Sequence, residues 1–143
     1  MRFSLSCFAV ALCIFSVNFG AHAVADETSA YDQIITAQAG ASGIPVSLVH
    51  RVILRESRYN PHVVSRGNYG LMQIRLGTAR AMGYGGSAAG LLDPETNITY
   101  AVRYLAGAYR AAGGDVNRAV ALYTRGYYQE AKSRGFSPYA SAR

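Results

Sequence analysis

The stretch VILRESRYNPHVVSRGNYGLMQI, residues 52–74, carries most of the information about the fold and the function of this chain. It places one glutamate, Glu56, among apolar residues near the end of a predicted helix. On a wheel of about 100° per residue with Leu48 at zero, Val52 falls near 40°, Ile53 near 140° and Glu56 near 80°. Glu56 is therefore predicted to face the core or a cleft cut into it.

Such a position favours a proton on the Glu56 carboxyl group. Loss of water disfavours the charged form of a carboxyl group, and the carbonyl end of a helix acts in the same direction. A glutamate that keeps its proton near neutral pH is what a general acid requires. Two other interpretations stay open at this point: an ion pair with a nearby arginine, or a helix that ends early and leaves Glu56 in water.

The sequence offers Glu56 no obvious acidic partner. The other acids lie near the chain ends or at predicted helix starts, where capping explains them: Asp26, Glu27, Asp32, Asp93, Glu95, Asp115 and Glu130. Most glycoside hydrolases use two carboxyl groups, so a single-acid site needs another nucleophile. His50 and His62 stand apart, so we predict no metal and no cofactor.

The hydrophobic pattern predicts a single all-α domain of several short helices. Sustained alternation typical of a strand is absent from the sequence. The predicted elements are a helix from a Ser29 cap to Ser42, a helix from Pro45 that ends before Pro61, a turn at Asn68–Gly70, helical pieces within Leu71–Met82, a loop at Gly83–Gly90, an Asp93-capped helix to about Ala112, an Asp115-capped helix over Val116–Arg125, and a short helix in the tail.

Residues 1–25 read as a secretory signal peptide. Arg2 precedes the apolar run Phe8–Phe19, and small residues suitable for cleavage follow at positions 21–25. The run is too short to span a bilayer, so we expect no stable membrane anchor. Both cysteines fall in this segment. We therefore predict a periplasmic or secreted protein whose remaining residues, 26–143, form one monomeric domain without disulfides.

Composition narrows the partners of an exported chain. The formal net charge is +6, and the predicted export argues against nucleic acid. An anionic cell-wall polymer or a membrane surface fits this charge, although the charge could also serve solubility alone. Eleven tyrosines and no tryptophan suit a cleft for a polar sugar, or the edges of an amphipathic core.

One sequence motif is more specific about function than the composition is. Glu56-Ser57, Asn60-Pro61, Ser65, the run Gly70-Leu71-Met72-Gln73-Ile74, Asn97-Ile98 and Tyr123 occur in this order and at a specific spacing. With these residues, the chain resembles the lysozyme-like lytic transglycosylase domain of bacterial cell-wall enzymes, of the soluble lytic transglycosylase type. The resemblance covers roughly residues 31–128.

The resemblance implies a lysozyme-like fold and cleavage of the β-1,4 bond between N-acetylmuramic acid and N-acetylglucosamine in peptidoglycan. The muramic acid's own 6-hydroxyl then replaces the second carboxyl group and leaves a 1,6-anhydro ring. Glu56 would be the acid and base. Substrate-binding roles would fall to polar Ser57, Ser65 and Gln73, to Met72 as an apolar sugar platform, and to Thr124 and Tyr123, of which Tyr123 would also bond the Glu56 carboxyl group.

Departures from the family pattern occur near the end of the chain. Thr124 and Arg125 stand where Asn and Ala are usual, so a contact to the glycan could be lost or changed. Two other functions stay open: a hydrolytic muramidase that uses water, and a non-catalytic peptidoglycan-binding scaffold. A small catalytic domain also suggests local remodelling of the wall for an envelope-spanning secretion or flagellar assembly.

Overall fold

The computed structural model describes residues 19–139, with side chains from residue 30 onward. Its helices are α1 (Phe19–Ser42), α2 (Val46–Glu56), α3 (Leu76–Ala81), α4 (Pro94–Ala111), α5 (Val116–Arg125) and α6 (Tyr128–Ser133), with a 3₁₀ turn at Ala89–Leu92. This mostly helical fold confirms the predicted class. Residues 1–18, most of the predicted signal peptide, lie outside the described part, so the signal peptide and its cleavage stay predictions.

Helix α4 forms the centre of the fold, because α1, α3, α5, α6 and the 3₁₀ turn all pack against it. Ile98, Val102 and Leu105 recur at helical spacing and are fully buried. Burial of such side chains removes apolar surface from water at about 25 cal/mol per Å². Gly107, also on α4, leaves space for the side chain of Tyr127. A Cβ atom at position 107 would lie 2.1 Å from the Tyr127 hydroxyl oxygen. Within the described part, each helix is either too short or too polar to cross a membrane.

Helix boundaries agree with the sequence where a side chain caps the helix. Asp93 Oδ1 accepts from the Thr96 N–H at 2.8 Å, and Asp115 Oδ1 accepts from the Arg118 N–H at 2.7 Å, as predicted. The hydrogen bonds from Thr96 hold the pKa of Asp93 below its usual value. The predicted Ser29 cap is wrong, because Ser29 lies inside α1. The predicted short helix in the tail is present as α6.

A small antiparallel sheet is the main feature that the sequence prediction missed. Strands β1 (Val64–Ser65), β2 (Asn68–Tyr69) and β3 (Ile74–Arg75) follow one another in the order β1-β2-β3. Each strand has two residues, too few for a pattern of period two to show. The turn predicted at Asn68–Gly70 is therefore wrong in its placement, because positions 68 and 69 form β2.

Two further boundaries differ from the prediction. The helical pieces expected within Leu71–Met82 reduce to α3, which begins only at Leu76, since β3 occupies the two preceding positions. The loop expected at Gly83–Gly90 runs at its end into the 3₁₀ turn. The small sheet lies beside both segments, because β2 contacts the 3₁₀ turn and β3 leads directly into α3.

Asn97 joins these irregular segments to α4. Its side chain is fully buried, and its Oδ1 accepts from the Met72 N–H at 2.9 Å. Its Nδ2 donates to the carbonyl oxygens of Tyr69 at 2.8 Å and Leu91 at 2.7 Å. One amide thereby pairs three backbone groups in two buried bonds and one part-buried bond, and buried backbone groups are costly to leave unpaired. Asn97 fixes the loop that follows β2 in place over the core.

Candidate active site

A cleft of about 340 Å³ lies where the end of α2, the small sheet and the end of α5 meet. The residues that line it are Glu56, Asn68, Gln73, Ile74, Arg75, Thr78, Tyr104, Tyr123, Thr124, Arg125 and Gly126. Among these described lining residues, Glu56 is the only acid. The volume lies within the range of pockets that bind small ligands, about 300–1,000 Å³.

Glu56 is the last residue of α2, and its side chain is 18% exposed. The inward direction predicted from the helical wheel is therefore confirmed. Its Oε1 lies 3.3 Å from Thr124 Oγ1 and 3.9 Å from Arg55 Nε. The two alternative interpretations each hold in part, because α2 ends at Glu56 and Arg55 lies nearby. The carboxyl group nevertheless lines the cleft. A half-enclosed carboxyl group with one hydroxyl partner can hold a proton and release it to a bound ligand.

Tyr123 lines the cleft beside Glu56 but does not have the predicted hydrogen bond. Its hydroxyl donates to the carbonyl oxygen of Met72 at 2.7 Å, and a phenol has only one hydrogen to donate. The predicted bond from Tyr123 to the Glu56 carboxyl group is therefore wrong, and Thr124 makes that contact. Burial, followed by the nearby charge of Glu56, raises the pKa of Tyr123 well above its usual value. Tyr123 thus stays a neutral donor.

Gln73 reaches the cleft from the loop between β2 and β3. Its backbone φ is 49°, a value that residues other than glycine rarely adopt. Its Nε2 donates to the carbonyl oxygens of Val63 and Gly70, both at 2.9 Å. Both amide hydrogens are thereby used inside the protein. Only the amide oxygen of Gln73 is left to meet a ligand, so Gln73 acts there as an acceptor.

Three other predicted substrate-binding residues are not among those that line the cleft. Ser57 is buried, and its hydroxyl donates back to Ile53 O at 3.2 Å. Met72 is fully buried, so the predicted sugar platform is wrong; the side chain belongs to the core. Ser65 is exposed on β1, outside the cleft lining. Ser57 and Met72 stand next to cleft-lining residues in sequence, but the local backbone turns their side chains elsewhere.

Several lining residues were not predicted from the sequence. They are Asn68, Ile74, Arg75, Thr78, Tyr104, Arg125 and Gly126. The excess of tyrosine indicated tyrosine side chains in a cleft, and Tyr104 is one that was not singled out. Its ring packs edge-on against Tyr123 with centroids 5.5 Å apart. In the sequence, Arg125 stands out only because the family pattern usually has Ala at this position. Its Nη2 lies 2.6 Å from Glu130 Oε1 on α6, which holds the guanidinium at the cleft mouth.

The described residues contain no group of three or more His, Cys, Asp or Glu side chains placed to hold a metal ion. The polar groups of the described lining side chains are one carboxyl group, hydroxyl groups, two side-chain amides and two guanidinium groups. That set suits proton transfer to and from a neutral or anionic polar ligand.

Comparisons with known proteins give one family match and several relatives. The model of the transglycosylase SLT domain family matches residues 33–138. A peptidoglycan transglycosylase, gp16, of Escherichia phage T7 is 34% identical over 102 residues, which are 68% of this chain and 8% of that protein. The soluble lytic murein transglycosylase of Escherichia coli K12 is 36% identical over 105 residues, 68% of this chain and 16% of that protein.

A third relative matches a shorter part of the chain. The endo-type membrane-bound lytic murein transglycosylase A of Cronobacter sakazakii is 44% identical over 80 residues, 50% of this chain and 39% of that protein. The chain thus spans well under half the length of each of these curated relatives.

Proposed function

This chain belongs to the transglycosylase SLT domain family, and on that premise we propose that it is a peptidoglycan lytic transglycosylase. The named relatives are transglycosylases of peptidoglycan or murein, which is the same polymer. The bond cleaved is the β-1,4 linkage from N-acetylmuramic acid to N-acetylglucosamine. The observation that carries the proposal is that Glu56 is the only acid among the described residues lining a 340 Å³ cleft.

A single carboxyl group constrains the chemistry. Glycosidases that use water or a covalent intermediate usually need a second carboxyl group, either about 5–5.5 Å or about 6.5–9.5 Å from the first. Within the described cleft no second acid is available for either role. An internal hydroxyl of the substrate needs only a base to accept its proton, and Glu56 becomes that base once it has given up its own proton.

The first step is departure of the N-acetylglucosamine oxygen. The Glu56 carboxylic acid gives its proton to the glycosidic oxygen while the bond from that oxygen to C1 of the muramic acid breaks. The leaving sugar keeps the proton as its 4-hydroxyl. C1 develops positive charge, and the newly formed Glu56 carboxylate stabilises this charge from within the cleft.

The second step closes the ring. The 6-hydroxyl oxygen of the same muramic acid bonds to C1, and its proton passes to Glu56. The products are a 1,6-anhydromuramic acid end and a free N-acetylglucosamine end, and Glu56 is again protonated. Water is neither consumed nor released. General acid and base catalysis of this kind contributes roughly 10²–10⁴-fold to the rate.

Other cleft residues supply binding. Arg75 and Arg125 line the cleft, and both are exposed. Their guanidinium groups suit the carboxylates of peptide-bearing glycan. The Gln73 amide oxygen suits an N–H of an acetamido group. Action at the wall outside the cytoplasmic membrane, and work beside an envelope-spanning secretion or flagellar assembly, are parts of this proposal that depend on the predicted signal peptide.

Product analysis tests the proposal. Purified protein is incubated with intact sacculi in water enriched in oxygen-18, and the released muropeptides are analysed by mass spectrometry. We expect anhydro ends, lighter by one water than hydrolysed ends and without the label. Labelled reducing ends would instead identify a muramidase. Binding to sacculi without release would identify a scaffold.

Two matched variants complete the experiment. Glu56→Gln keeps the size of the side chain but removes the acid, and we expect release to fall by at least about 10²-fold. Glu95→Gln, at an exposed position in the first turn of α4, should release the same products at the wild-type rate. Equal activity of Glu56→Gln and wild type would overturn the role of Glu56.

A further inference from the structure

His50 and Tyr59 form a hydrogen-bonded pair that joins the middle of α2 to the turn after its end. His50 Nδ1 lies 2.8 Å from the Tyr59 hydroxyl oxygen. The two rings are also neighbours, with centroids 6.2 Å apart. His50 precedes Glu56 by six residues, about 9 Å along a helix, and Tyr59 follows Glu56 by three. The contact therefore spans the segment of α2 that ends in Glu56.

The turn that carries Tyr59 has a strained backbone. Arg58 and Tyr59 adopt φ values of 52° and 66°, both in the left-handed region. Neither residue is a glycine, so each one adds strain. Strain of this kind persists only where the surrounding contacts hold the segment in place. This turn directly follows the end of α2 and brings the Tyr59 side chain back against the helix that carries Glu56.

The Tyr59 side chain opposes this strain in two ways. It is only 4% exposed and belongs to the hydrophobic core, and its hydroxyl reaches His50. Phenylalanine would supply the same buried ring, but only tyrosine adds the hydroxyl contact. Asp32 Oδ1, on α1, lies 3.7 Å from His50 Nε2. A carboxylate at that distance favours a hydrogen on Nε2, which leaves His50 Nδ1 to accept from the Tyr59 hydroxyl.

We propose that His50 and Tyr59 are positioning residues that fix the end of α2, and with it the place of the Glu56 carboxyl group in the cleft. This inference rests on the proposed function, in which Glu56 carries out both proton transfers. Glu56 is the last residue of α2, and helix ends fray unless other contacts hold them. Neither His50 nor Tyr59 is among the described residues that line the cleft, so the pair acts through Glu56. Small displacements of a reacting group lower the catalytic rate.

Hydrogen exchange of backbone amides tests the helix end without using activity. The last bonds of α2 run from the Ser57 N–H to Ile53 O at 3.0 Å and from the Arg58 N–H to Leu54 O at 3.3 Å. Tyr59→Phe keeps the buried ring and removes the hydroxyl. In this variant we expect both amides to exchange about 3–10-fold faster, because the helix end opens more often. The amides of α4 should exchange as in wild type.

Two variants of His50 test the other partner of the bond. His50→Leu removes the polar atom at similar volume and should reproduce the faster exchange of Tyr59→Phe. His50→Asn keeps a polar atom near the position of Nδ1 and should stay close to wild type. Tyr84→Phe is the matched control, because Tyr84 also donates a hydroxyl bond of 2.8 Å, to Ser87 O, and lies outside the cleft lining. It should leave the exchange at the end of α2 unchanged.

Kinetics on glycan fragments test whether the fixed helix end matters for the reaction. At a temperature where all variants are folded, Tyr59→Phe and His50→Leu should lower kcat about 3–10-fold with KM within about 2-fold. His50→Asn should restore most of kcat, and Tyr84→Phe should match wild type.

Three results would overturn the proposal. They are wild-type exchange at the end of α2 in both Tyr59→Phe and His50→Leu, faster exchange with unchanged kcat, and an equal loss of kcat in Tyr84→Phe. If wild type releases no anhydro products, the proposed function fails, while the exchange data still decide whether His50 and Tyr59 hold the end of α2.

Discussion

The hydroxyl of Tyr123 donates to the carbonyl oxygen of Met72 at 2.7 Å, across 51 positions of sequence. This bond ties the end of α5 to the loop that carries Gln73, and so joins two walls of the cleft. Tyr123 is nearly buried and Met72 fully so, which leaves water little access to either group. The role of Tyr123 that follows from this contact is to hold the cleft together.

Tyr123→Phe should therefore act on stability more than on the chemical step. Loss of the hydroxyl leaves the buried Met72 carbonyl without this donor, and we expect the free energy of unfolding in urea to fall by about 1–2 kcal/mol. At temperatures well below unfolding, kcat should stay within a few-fold of wild type. Tyr128→Phe, at a side chain 53% exposed, is the control and should change neither quantity. A large fall in kcat at unchanged stability would instead indicate that the hydroxyl acts on Glu56.

Asn97 should be among the most sensitive polar positions for stability. Asn97→Ala leaves three backbone groups without their side-chain partner, and each buried unsatisfied group costs about 1–3 kcal/mol. We expect a loss of roughly 3 kcal/mol or more in the free energy of unfolding. Asn117 also uses its Oδ1, to accept from Arg51 at 2.7 Å, but at the surface. Asn117→Ala should cost under about 0.5 kcal/mol, and equal losses at the two positions would contradict this interpretation.

Gly70 has two independent reasons to be glycine. Its φ is +70°, and an added Cβ would lie 2.4 Å from Asn97 Nδ2 and 2.5 Å from Leu91 O. Gly67 shares the first reason, with a φ of +77°, but has open space around the added atom. Gly67→Ala should cost about 1–2 kcal/mol from backbone strain alone. Gly70→Ala should cost several kcal/mol more or prevent folding, as thermal unfolding of the two variants will show.

Arg125 should affect binding rather than chemistry. Removal of its guanidinium group from the cleft mouth takes away an attraction for carboxylates of the glycan. For Arg125→Ala we expect KM for peptide-bearing glycan to rise about 3–10-fold with kcat nearly unchanged, and the effect to shrink at high salt. Arg80→Ala, exposed and outside the cleft lining, should leave KM unchanged. A lower kcat at constant KM would assign Arg125 to the chemical step.

Local side-chain chemistry explains what could be predicted of the fold. Asp93 and Asp115 cap helices through their own carboxyl groups within three residues, so their sequence neighbourhood contains the whole interaction. Ser29 had the right side chain for a cap, but α1 continues through it. A cap signal therefore shows that a helix could begin at a residue, and the neighbouring residues decide whether it does.

The candidate site was predictable in part for the same reason. Glu56 lies on the apolar face of a short helix, and helical periodicity alone turned it inward. The directions of Met72 and Ser57 depend on a tight loop and a helix end, where periodicity no longer applies. Met72 entered the core and Ser57 turned back on Ile53, so neither took the predicted role.

The sequence by itself determined the helical class, the capped helix starts, the inward face of Glu56 and the resemblance to a family. Each of these depends on residues close together in the chain. Only the tertiary structure decided that Thr124 rather than Tyr123 meets Glu56, that Tyr123 meets Met72, and that Arg75 and Arg125 reach the same cleft. These contacts join distant segments, and their distances are set by how α2, α5 and the small sheet meet at the cleft.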